Sequence, residues 1–115
     1  MNTRVYVYEF GMGVDLHGGD STTAARRAVF DALRHSSLPL LSEIHERGGE
    51  MIVEATVAVP DPGSVDLDVV KREFPHGEVS VRAVEGGLAV PGTDSLIACA
   101  SITVSARIRT ASEPG

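Results

Sequence analysis

Apolar residues alternate with a period of two from Arg4 to Phe10, where Val5 and Val7 oppose Tyr6 and Tyr8, so this stretch predicts a strand with apolar side chains on both faces. The next stretch, Gly11-Met12-Gly13-Val14-Asp15-Leu16-His17-Gly18-Gly19, is rich in glycine and reads as a loop. From Asp20 or Ser21, either able to cap a first turn, a helix is predicted to about His35. Its stripe is Ala25, Ala28, Val29, Ala32 and Leu33, small enough for the helix to lie close on a sheet with no deep cavity beneath it. Ser37-Leu38-Pro39 closes that helix and opens a short second one through Leu41, Ile44 and His45, ended by Gly48-Gly49.

Met51 to Val59 predicts a strand with Met51, Val53, Ala55, Val57 and Val59 on one face. Asp66 caps a short helix from Leu67 to Phe74, stopped by Pro75 and Gly77. A strand from Glu78 to Glu85, a loop from Gly86 to Ser95 and a last strand carrying Ile102, Val104, Ala106 and Ile108 follow. The order β-α-(α)-β-α-β-β gives one α+β domain over residues 1–110 with a flexible tail over 111–115. Two or three helices cover one face of a four-stranded sheet. Ile52, Thr56, Ala58 and the doubly apolar first strand make part of the other face too apolar for water, which predicts a homo-oligomer.

Composition narrows the function classes. A net charge of −6 and a pI near 5.1 argue against a nucleic-acid surface. No apolar run is long enough for a membrane helix and Met1 to Tyr8 lacks the basic-then-apolar order of a secretion signal, so a cytoplasmic address without membrane contact is expected. The single cysteine, Cys99, excludes an intramolecular disulfide and predicts a buried, inert thiol in an apolar strand.

Asp15 and His17 carry the candidate chemistry. Two apart in an extended stretch, they point to one side, so a carboxylate can orient an imidazole and favour its charged form. Gly11, Gly13 and Gly18, with the free N–H groups of the helix start, can seat an anionic group, and His35 and Ser36 at the helix end can line the same pocket. The same residues also fit a purely structural turn, with Asp15 capping it and His17 bonded to a backbone carbonyl. Nucleotide fingerprints fail: the glycine three places after Gly13 and the lysine-serine or lysine-threonine pair are both missing. A metal site would need a third ligand from His35, His45, His76 or a glutamate, and no spacing fixes one, so neither metal nor cofactor is expected. Triads built from Ser36 or Ser37 lack a nucleophile elbow. Glu85-Gly86-Gly87 reads as part of an irregular hairpin loop, and Arg107 and Arg109 as solvated charges on a strand face.

Gly11-x-Gly13-x-Asp15-x-His17-Gly18 resembles the signature G-x-G-x-D-x-H-G of the "Lin" family of conserved hypothetical proteins, small bacterial proteins with longer plant relatives. The resemblance extends over most of the chain, including His35-Ser36-Ser37-Leu38-Pro39, Val57-Ala58-Val59-Pro60 and Glu85-Gly86-Gly87. It brings no reaction, since the family's function is unassigned. It implies a mixed sheet of the chorismate-mutase-like type, shared with the C-terminal domain of tubulin, whose subunits often form rings of three or more. The arginine set of a chorismate mutase has no counterpart here, so that activity is not implied. Two functions are therefore expected. The first is a small-metabolite enzyme of the isomerase, cyclase or lyase type, with His17 as general acid/base, Asp15 as its partner and an anionic substrate. The second is a non-catalytic, ring-forming homo-oligomeric binding or scaffold protein.

Overall fold

The computed structural model describes residues 2–34, 50–75 and 77–108. They form β1 (Asn2–Asp15), α1 (Ser21–Arg34), β2 (Glu50–Val59), a 3-10 turn (Pro62–Ser64), α2 (Leu67–Lys71), β3 (Glu78–Glu85), the two-residue β4 (Leu88–Ala89) and β5 (Leu96–Ile108). The main sheet order is β1-β5-β2-β3, with β4 beside β5 beyond the end of β2. β5 is antiparallel to both β1 and β2, and β2 and β3 are parallel, as the crossover through α2 requires. The α+β architecture, a single mixed sheet with helices on one face, is as the sequence predicts. The expected second helix, with His45, and the tail 111–115 lie outside the described residues.

The core explains why the helix packs so close. α1 buries Ala24, Ala25, Ala28, Val29 and Ala32 against Val53, Ala55, Val57 and Val59 of β2 and Ala98, Ala100, Ile102 and Val104 of β5. The sequence reading erred most at β1, which does not end at Phe10 but continues through Asp15, paired residue by residue with β5 down to Leu96. Gly11 and Gly13 are therefore strand residues. A Cβ on Gly11 would collide with the backbone of Ala28 and Ala32, and one on Gly13 with the backbone of Ala24 and Ala28. Glycine serves here because helix backbone rests directly on strand backbone, not because the chain turns.

The opposite face of the sheet is covered by no described element. Tyr8, Phe10 and Met12 project from it 63%, 67% and 57% exposed. Cys99 is exposed on that face too, which corrects the expected buried thiol. Its neighbours Ala98 and Ala100 face α1 and are buried, so strand alternation turns Cys99 outward.

Candidate functional site

The turn after β1 is held by carboxylates. Asp15, only 7% exposed, lies on the helix side of β1, and its Oδ2 accepts the Asp20 N–H at 2.9 Å. Its Oδ1 is 3.6 Å from the Arg27 guanidinium, which also donates to the Val14 carbonyl at 2.6 Å. Asp20 caps α1: its Oδ1 accepts the N–H groups of Thr22 at 3.0 Å and Thr23 at 3.3 Å, and its Oδ2 the Thr23 hydroxyl at 2.9 Å. The Thr23 hydroxyl, with the Thr23 and Thr22 amides, holds the Asp20 carboxyl below the usual carboxylate range. Gly18 and Gly19 take positive φ of 98° and 61°, the left-handed conformations that let the chain reverse into the helix.

His17 does not share Asp15's spot. Its side chain is 91% exposed, and its Nδ1 lies 3.8 Å from Oδ1 of Asp94, in the β4–β5 turn. The other Asp94 oxygen accepts the Gly18 N–H at 2.8 Å, the main reason its carboxyl sits below the ordinary range. The Ser95 hydroxyl donates to the Leu16 carbonyl at 2.7 Å, tying the two turns together. Past Asp15 the chain leaves the strand for a turn, and the two-residue spacing no longer aligns the side chains. The partner of His17 is 77 positions away, where spacing gives no warning; Asp94 lay within the predicted loop from Gly86 to Ser95.

The proposed anion seat looks different in three dimensions. Gly11 and Gly13 sit beneath α1 and the Gly18 amide is taken by Asp94. The Thr22 and Thr23 amides of the helix start are taken by Asp20. Protein carboxylates already occupy the positions where an anion would bind, and Asp15, Asp20 and Asp94 make the corner acidic. Among the described residues no three His, Cys, Asp or Glu side chains gather as a metal ion would need. His35, Ser36 and Arg109 lie outside the described residues, as does His76; Arg107 pairs with Glu50 at 3.0 Å.

Sequence reasoning also missed the arrangement along the outer edge of β1. Asp31 of α1 accepts the Met12 N–H at 3.0 Å, and Arg27 covers the Val14 carbonyl, so α1 closes the loop-proximal part of this edge with two side chains. No helix of the described residues is long and apolar enough to cross a membrane.

Comparison with solved structures finds a likeness to an FtsZ-like protein of unknown function from Nostoc punctiforme, at 30% identity and a TM-score of 0.75, over 95% of this chain and 99% of that one. The likeness agrees with the tubulin C-terminal-domain-like fold that the resemblance implied. A comparison with curated proteins finds no match. A family model described as "Conserved hypothetical protein (Lin0512_fam)" matches residues 5–104. With the motif residues placed in β1 and its following turn, and the match spanning nearly the whole sheet, the chain belongs to this family of conserved hypothetical proteins.

Proposed function

We propose that this protein is a homo-oligomeric binding or scaffold protein whose working surface is the uncovered sheet face. The observation that carries the reading is the row Tyr8, Phe10 and Met12, three large apolar side chains more than half exposed along one strand. The acid–base reading draws less support, because the Asp15 carboxylate is spent on the Asp20 amide and Arg27 while His17 stands in solvent beside Asp94. In the scaffold reading the motif is a packing and turn-closing device: Gly11 and Gly13 admit the helix, Asp15 fixes its start, and Gly18 reverses the chain.

Light scattering on the purified chain tests this. The expected mass is a multiple of the 12.1 kDa monomer, falling toward one chain in Phe10→Asp with the far-ultraviolet circular dichroism unchanged. A monomer at every concentration would overturn the reading.

A further inference from the structure

The uncovered face is divided in two by its strand register. Met12 pairs with Cys99, Cys99 with Ala58, and Ala58 with Val84, so one apolar row crosses all four main strands. Leu88 extends it on the loop side and Phe10 borders it on the other. Past this row β5, β2 and β3 turn polar: beside Phe10 they carry Ser101, Thr56 and Arg82, with Arg82 bonded to Thr56 at 2.9 Å, and beside Tyr8, whose ring is also exposed, they carry Thr103, Glu54 and Ser80.

From this we infer that the loop-proximal half of the sheet face is an isologous interface, on which a second copy of this chain packs face to face with the Met12–Cys99–Ala58–Val84 row meeting its own counterpart. The inference rests on the scaffold reading and adds the geometry of the contact. Three observations support a second copy. Phe10, Met12, Leu88 and Val84, exposed by 67%, 57%, 49% and 38%, adjoin the exposed Cys99 in one contiguous apolar patch, the kind of surface that marks an interaction site. The row carries no charge in a chain of net charge −6, so two copies meet there without opposing like charges. Asp31 and Arg27 already occupy the loop-proximal edge of β1, so copies do not join there by extending the sheet, the head-to-tail contact that would build a ring. Packing face upon face about a two-fold axis instead sets apolar half on apolar half while the polar half stays in water.

Cys99 lies within this row and is the chain's only cysteine, which makes it a reporter. The full chain is treated with a short bismaleimide across a dilution series while its mass is followed by light scattering. The expected result is a two-chain mass with Cys99 joined to Cys99. Met12→Asp and Val84→Asp each weaken the dimer at least about 100-fold, because a carboxylate near the axis faces its own copy. Phe30→Asp, at an exposed apolar position on α1, leaves both readouts unchanged. Circular dichroism identifies a variant that fails to fold, and the other row variant then decides. An assembly that is insensitive to the row variants and yields no Cys99 crosslink overturns this interface but leaves the scaffold reading standing. A monomer throughout overturns both.

Discussion

Asp15 and His17 are two residues apart in sequence, yet each has its own partner, so their contributions to stability should be independent. Asp15→Ala strips the Asp20 amide and Arg27 of a largely buried acceptor and is expected to cost about 1–3 kcal/mol in urea denaturation. His17→Ala, at a solvent-bathed position, should change stability by less than about 0.5 kcal/mol. The double variant should then equal the sum to within about 0.5 kcal/mol, whereas a working dyad would show a larger coupling. Asp20 makes a pH-dependent contribution. Its carboxyl is lowered in the folded state, so the stability it confers is present above its unfolded pKa of about 4 and is lost as the pH falls through the folded value. Asp20→Ala should therefore cost about 1 kcal/mol at neutral pH. The deficit should shrink in urea titrations as the pH falls through the lowered folded value; an equal deficit at the acid end would show that the carboxylate charge contributes nothing.

At the scale of elements, the contact between β1 and α1 is set by the absence of side chains. Alanine at positions 24, 28 and 32 and glycine at 11 and 13 form two small-residue stripes that touch backbone to backbone. Gly13→Ala should destabilise the fold by at least about 3 kcal/mol, because the added methyl group meets the helix backbone, which cannot turn aside as a side chain can; a thermal melt within a degree or two of wild type would refute the contact. The alanine stripe was legible in the sequence, and so was the close approach it implies. The glycines were misread, since glycine in a strand and glycine in a loop look alike until the element above is known. β3 was bounded correctly because its alternation is uninterrupted, and the start of β5 because the glycine- and proline-rich loop through Ser95 precedes its apolar run, whereas Gly11 breaks the pattern of large side chains in β1 and hid its continuation.

For the whole molecule, the inner and outer sheet faces differ in how far local pattern decides them. Val53, Ala55, Val57 and Val59 announce a buried face by alternation alone, and the structure buries all four. The outer face depends on registers between β1, β5, β2 and β3, and only these line up Met12, Cys99, Ala58 and Val84 from four separate segments. The expectation that this face is too apolar for water followed from Ile52, Thr56, Ala58 and the doubly apolar first strand, but its division into an apolar and a polar half did not. By itself the sequence determined the order of the four main strands with α1 and α2, the α+β class, the small-sided helix and the cap at Asp66, all consequences of residue spacing within about fifteen positions, while β4 within the expected loop escaped it. Tertiary structure alone decided that β1 runs beneath α1 to Asp15, that Asp94 rather than Asp15 stands beside His17, and that Cys99 faces outward amid an apolar row. Those outcomes depend on residues from about 75 to about 90 positions apart coming into contact, and period and composition carry no information about such pairings.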